Sequence, residues 1–245
     1  MSDFTCLNFV GITGGDDLNL EVVKTKLKEC AIVLTRVLWK VPLVKVNDRE
    51  RLRLLKIIDS KKMISCAFRN WELCEYPNIP QSKKHSWMVK TCSHVEKPRC
   101  LIIAFLTNIM GSVSVSDSAS DYDTCSLTNV KAYINSTEYP YENFSESFDK
   151  NMFTVFYQNY VDFQKYYYER LNAHPCLSRE KFKKLGPFIC INCLRQNDYV
   201  KTFSVDLRIE FESESNFPAN TAAYCLVIHD RVIQYNPFTV EVRKI

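Results

Sequence analysis

The sequence predicts a mainly β protein, an antiparallel jelly-roll β-sandwich with one or two inserted helices. Three observations carry that prediction. Phe203, Val205, Leu207, Ile209 and Phe211 alternate with Ser204, Asp206, Arg208 and Glu210, a period of two over nine residues that a helix cannot use. Ala222–Ile228 is a continuous apolar run, the signature of a strand covered on both faces. Turn signals recur roughly every 8–15 residues and separate about nine strand segments and two helices, which is not the alternation of βαβ units.

The elements follow in order. Residues 1–28 carry little pattern, and Gly11-Ile-Thr-Gly-Gly-Asp-Asp17 reads as a loop. Residues 30–39 read as a strand closed before Pro42. A short helix is expected at about 48–58, capped by Asn47 with Glu50 in capping-box position, and with Leu54, Leu55 and Ile58 as its inner face. Met63–Phe68 with its continuation to Trp71, Ser86–Cys92 and Arg99–Leu106 read as strands, and 107–126 as an exposed Ser/Asp-rich loop. Val130, Ala132 and Ile134 mark a half-buried strand. Near the end, Val232–Tyr235 and Phe238–Val242 flank the turn signal Asn236-Pro237. One long helix interrupts the strands: Phe148, Met152, Phe156, Tyr160, Phe163 and Tyr167 recur every three or four residues, with Ser147 placed to cap. That aromatic stripe reads as the core face of an amphipathic helix, in preference to a base-stacking platform.

Composition bounds the function. The chain has 245 residues, 46% hydrophobic and 13% aromatic, with a formal charge of +4, too small alone to mark a nucleic-acid or membrane binder. Met1-Ser-Asp-Phe-Thr lacks the basic start and apolar core of a secretory signal. The run Leu101–Leu106 is far too short to span about 30 Å of hydrocarbon. The expectation is a chain that is not secreted and has no transmembrane segment. In a reducing compartment its eleven cysteines are buried thiols, not disulfides, and the sequons at Asn135 and Asn143 are idle.

Enzyme constellations are absent: no G-x-S-x-G elbow, no phosphate-loop Lys-Ser/Thr after Gly11-Ile-Thr-Gly14-Gly15, and no H-E-x-x-H. Cys190-Ile-Asn-Cys193 is a C-x-x-C motif, for which His174 and Cys176 are the nearest further ligands. Positions three apart in a strand face opposite sides, so the reading is two ordinary thiols, one of them buried. His229 is placed in a turn His229-Asp230-Arg231, and His85 and His94 are taken as exposed. No catalytic, cofactor-binding or metal-ligating residue is assigned, and the chain is read as not an enzyme.

Charge is unevenly spread. Residues 40–62 hold Lys40, Lys45, Arg49, Arg51, Arg53, Lys56, Lys61 and Lys62 against Asp48, Glu50 and Asp59. Residues 117–149 hold seven acidic residues and only Lys131. The basic segment, with Trp39 or Trp71 to stack bases, makes a nucleic-acid-binding module the alternative reading. Opposite patches meeting across subunits are a third use.

Several phrases resemble a known family. They include Trp39-Lys-Val-Pro42, Phe68-Arg-Asn-Trp-Glu-Leu-Cys-Glu-Tyr-Pro77, Lys84-His-Ser-Trp-Met-Val-Lys-Thr91, Glu96-Lys-Pro-Arg99 and Leu127-Thr-Asn-Val-Lys131. Tyr139-Pro-Tyr141, Cys193-Leu-Arg-Gln-Asn197, Asp206-Leu-Arg-Ile-Glu210, Phe217-Pro-Ala-Asn-Thr221, Ile228-His-Asp-Arg231 and Tyr235-Asn-Pro237 follow in the same order. Together they resemble the C-terminal part of the double jelly-roll capsid-like proteins of Maverick/Polinton-type virus-like transposable elements. The resemblance implies a structural capsid protein that self-associates, as homotrimers in the full-length family, and is found in the virion or inside the cell. It implies that residues 29–245 are the second half of a double jelly roll with a fragment of the first, preceded by a poorly matched segment 1–28. A truncated or domesticated copy fits that extent. Under the resemblance, the loops at 107–126 and 136–147 project as contact surfaces. It supplies no catalytic residue, and no cofactor is implied.

Overall fold

The structure, a computed structural model, describes residues 38, 40, 42–92, 98–107, 121–194 and 205–244, the side chains of 90–92 excepted. Val44–Gly111 and Ala119–Ile245 form one compact unit, which contains every described helix and strand. Of the second unit, Met1–Leu43 and Ser112–Ser118, residues 38, 40, 42 and 43 are described and have no regular structure. The strand expected over 30–39 and the loop residues 108–120 lie outside the described residues, apart from Leu38.

Nine strands and three helices are described: α1 (Asp48–Asp59), β1 (Ile64–Tyr76), β2 (Lys84–Cys92), β3 (Pro98–Thr107), β4 (Leu127–Ile134), β5 (Thr137–Tyr139), α2 (Thr154–Tyr168), α3 (Arg179–Leu185), β6 (Ile189–Asn192), β7 (Val205–Ser213), β8 (Thr221–Asn236) and β9 (Glu241–Lys244). One sheet runs β1-β8-β3-β6, with β9 added to β8, and the other runs β2-β7-β4-β5; the described strand pairs are antiparallel. Leaving β9 aside, two four-strand sheets that share the chain alternately, with β1 beside β8, are the jelly-roll order.

Alternation decides which face of each strand is inside. In β7, Val205, Leu207, Ile209 and Phe211 are buried while Asp206 is exposed. In β4, Leu127, Val130, Ala132 and Ile134 are buried, the spacing shifting at a bulge between Leu127 and Asn129. From Cys100 to Leu106 β3 is continuously apolar, and both of its faces are covered there. Leu101, Ile103 and Phe105 join the core between the sheets, while Cys100 and Ala104 are buried on the other side. The hairpin joining β4 to β5 turns at Asn135 (φ 55°), whose Oδ1 accepts from the Asp206 N–H at 3.0 Å and so ties the turn to β7.

Four expectations are corrected. α1 forms where predicted, and Asn47 Oδ1 accepts from the Glu50 N–H at 2.9 Å. Its expected inner face is not an inner face: Leu54 and Leu55 are exposed, Ile58 half-buried, and no residue of the helix is buried.

The long helix starts at Thr154, not at Phe148, because residues 147–152 close a tight turn. Ser147 and Met152 exchange backbone hydrogen bonds there, and the Ser147 hydroxyl accepts from the Lys150 N–H at 3.3 Å. Phe148, Phe153 and Phe156 are buried as a core stripe requires, but Met152 is exposed.

His229-Asp230-Arg231 is no turn. β8 runs straight through it, since His229 meets Asn70, and Asp230 meets Arg99 at 2.8 Å and Arg69 at 3.9 Å. Polar residues with partners in both neighbouring strands have no reason to break the ladder.

The short helix α3, unread in the sequence, is capped by Ser178, which accepts from the Lys181 N–H, and is pinned by the fully buried Phe182. Finally, Phe238–Val242 is mostly turn, with Asn236 Oδ1 accepting from the Phe238 N–H, so β9 begins only at Glu241.

Candidate functional site

The two sheets present unlike outer surfaces. On β2-β7-β4-β5 the outward residues form a ladder of opposite charges: Lys84–Glu212 at 2.7 Å, Lys131–Glu138 at 2.8 Å and Arg208–Glu210 at 3.5 Å, with the Arg208 guanidinium 4.5 Å from the Tyr133 ring. Such pairs neutralise one another in water and contribute little individually.

The other sheet also carries ion pairs, Asp230 with Arg69 and Arg99, but its β1 edge exposes large apolar side chains. On β1, Trp71 (55% exposed) and Leu73 (63%) point to one side, and Ile64 and Phe68 to the other. Every residue from Ile64 to Phe68 is exposed, so this half of β1 overhangs the core, with the half-buried Arg231–Asn236 of β8 beside it. Phe238, Val240 and Val242 of the adjoining hairpin are exposed, as are Leu52, Leu54, Leu55 and Ile57 of α1. Large apolar side chains exposed at a sheet edge are candidates for contact with another protein surface.

Helix α2 anchors the rest of that outer face. The Trp71 indole N–H donates to Tyr167 Oη at 3.0 Å, with the rings edge-on at 5.9 Å, and the Arg69 guanidinium sits 4.6 Å from the Tyr167 ring. Trp71 is therefore held by a neighbour of its own chain, a poorer base-stacking platform than an open ring. Trp39 lies outside the described residues.

The charged segments divide likewise. At 100° per residue, Arg49, Arg53 and Lys56 share one face of α1, whereas Arg51 falls among the leucines opposite. Glu50 meets Arg53 at 3.7 Å. In the acidic stretch, Asp123 accepts from the Thr107 N–H at 2.7 Å and Glu138 is paired with Lys131, while Asp121, Glu142 and Asp149 remain exposed.

The cysteine motif is brought to opposite faces of β6. Cys190 lies on the α2 side, across from Ile102, while Cys193 belongs to the core between the sheets. Both are buried, not one as expected, because α2 covers the outer side. Burial pushes both thiols far above their ordinary range, and Cys100 up to about 12 against the pull of Arg99 and Arg69. Protonated thiols are poor nucleophiles and poor ligands. His174 and Cys176 are exposed in the loop before α3, tied to Gln164. Among the described residues no group of three or more His, Cys, Asp or Glu could hold a metal ion.

His85 is half-buried, not exposed: its ring stacks on Phe211 at 5.1 Å and meets Phe217 edge-on at 5.0 Å. His94 and the Gly11–Gly15 loop lie outside the described residues. A half-open cleft of about 370 Å³ lies between α2 and β6, lined among others by Pro140, Phe144, Lys165, Tyr166 and Cys190. Asp162 meets Lys165 there at 2.6 Å, and burial raises the Tyr166 phenol far above its ordinary value. The cleft thus offers an ion pair, a neutral phenol and a neutral thiol, with no nucleophile beside a base. Among the described residues no helix is long and apolar enough to cross a membrane.

The chain belongs to the double jelly roll-like domain family, whose model matches residues 9–233. A chain in the 3.5 Å cryo-EM structure of the Sputnik virophage is similar at 8% identity and a TM-score of 0.44, the match covering 74% of this chain and 39% of that one. Among curated proteins, none matches it.

The apolar edge was not read from the sequence. Its signal was present in Trp71 and Leu73 alternating with Glu72 along a strand, but alternation does not say which side is covered.

Proposed function

We propose that the chain is a capsid-like structural subunit, not an enzyme, that acts by packing against copies of itself or related subunits. The observation that carries this reading is the contrast between the two sheets: a self-neutralised ladder on one, and an apolar edge with Trp71 and Leu73 on the other. Membership of a double jelly roll-like family supports it, as does a cleft without a catalytic pair. Residues 29–245 are then the second half of a double jelly roll, with a fragment of the first. The kinship with Maverick/Polinton-type elements, the trimeric state and a place in a virion or inside the cell belong to this proposal. So does the absence of any cofactor.

The co-facial Arg49, Arg53 and Lys56 support the alternative, contact with nucleic acid through the basic segment. Light scattering across protein concentration and at two salt levels separates the readings. A discrete trimer or larger closed assembly supports the structural subunit. A monomer at every concentration, joined to salt-sensitive binding of a fluorescent DNA duplex that Arg53→Ala weakens, overturns it in favour of the alternative.

A further inference from the structure

Two cysteines face each other directly across neighbouring strands: Cys74 of β1 is the register partner of Cys225 of β8. Directly opposed residues of an antiparallel pair point to the same face, with Cα atoms about 4.5–5.5 Å apart. A disulfide spans Cα separations of about 4.4–6.8 Å, a range that directly opposed strand residues fall within. No other two of the described cysteines are register partners. Cys66 faces Ile233, Cys190 faces Ile102, and Cys100 faces Asn192 on one side and Ile228 on the other. Cys225 is fully buried in the core, while Cys74 is half-buried on an edge strand and packs against that core.

We propose that Cys74 and Cys225 form a reversible cross-strand disulfide, open in a thiol-rich compartment and closed when the protein meets a low-molecular-weight disulfide. The Cys74 thiolate attacks one sulfur of that oxidant, giving a mixed disulfide and releasing one small thiolate, which takes up a proton. Cys225, whose proton burial holds tightly, gives it up slowly and then attacks Cys74 Sγ, forming the Sγ–Sγ bond and expelling the second small thiolate, which takes up a proton. Two protein thiols are oxidised to one disulfide, and one small disulfide is reduced to two thiols. The bond fastens the edge strand β1, which carries Trp71 and Leu73, to the strand that runs through the middle of its sheet. It also encloses most of the jelly roll between its two ends, where a cross-link restricts the unfolded chain most.

The test uses the full chain, purified reduced and incubated with oxidised glutathione, then blocked with N-ethylmaleimide, digested and mapped by mass spectrometry. The expected result is a Cys74–Cys225 linked peptide and a Tm higher by at least about 5 °C, both reversed by dithiothreitol. Cys74→Ser and Cys225→Ala each abolish the Tm rise. The map of the unaltered protein decides even if a variant folds poorly. A glutathione adduct that stays on Cys74 while Cys225 is recovered alkylated overturns the proposal, as does a bond from Cys74 to Cys66.

Discussion

Asn70 Nδ2 and His229 Nε2 lie 3.1 Å apart across β1 and β8, with the His229 side chain only 2% exposed. The amide nitrogen donates and His229 Nε2 accepts. Removing Asn70 takes one hydrogen bond from the buried His229 ring. Asn70→Ala is expected to lower stability by about 1–3 kcal/mol, read as a lower urea midpoint with unchanged slope. The double change Asn70→Leu with His229→Leu recovers part of that loss, since two apolar groups leave nothing unsatisfied.

The buried thiols set an alkaline limit. Burial raises Cys100 and Cys125 to about 12; Arg99 and Arg69 oppose the rise at Cys100, and Asp123 adds to it at Cys125. In the unfolded chain a thiol ionises near about 8.5. A group whose folded value is raised contributes stability that is fully present below its unfolded value. That contribution is lost as pH climbs through the window toward about 12. Each such thiol steepens the fall by up to about 1.4 kcal/mol per pH unit. Urea midpoints measured between pH 8 and 11 therefore decline, and Cys100→Ala makes the decline shallower. Equal slopes for the two proteins rule this origin out.

The strands with strict alternation were legible because one face of each meets the core, as with Val205 to Phe211 and Val130 to Ile134. The helix α1 was legible in its start, through Asn47 and Glu50, but not in its surroundings. Leu54 and Leu55 have the spacing of an inner face, and spacing cannot say whether anything is there to receive it. His229-Asp230-Arg231 misled because its ion partners, Arg69 and Arg99, lie on two other strands, at distances no local pattern records. The opposite facing of Cys190 and Cys193 followed from strand geometry alone. That both are buried depended on α2 crossing over β6, a tertiary event.

Phe182 shows how much rests on that crossing. It sits 5.2 Å from the Tyr160 ring, 5.4 Å from Tyr157 and 6.2 Å from Phe153, centroid to centroid, at 0% exposure. Phe182→Ala is expected to cost about 3–5 kcal/mol, because rigid rings around the gap collapse poorly. Lys84→Ala, which removes an exposed pair with Glu212, is expected to cost under about 1 kcal/mol. Thermal unfolding of both variants checks the contrast. A loss at Lys84 as large as that at Phe182 contradicts a solvated outer ladder.

Leu73 gives the sharpest separation of folding from association. It is 63% exposed on an edge strand, so replacing it removes almost no buried area from the monomer. Trp71 is a poorer probe, since its indole holds Tyr167 and its loss disturbs α2. Leu73→Lys is therefore expected to leave circular dichroism unchanged and stability within about 0.5 kcal/mol. In an interface core the same change buries a charge without a partner and weakens association at least about 30-fold. Sedimentation equilibrium of the two proteins reads the difference directly. If Leu73→Lys associates as tightly as the unaltered chain, the β1 edge is not where subunits meet, and the exposed leucines of α1 become the next surface to alter.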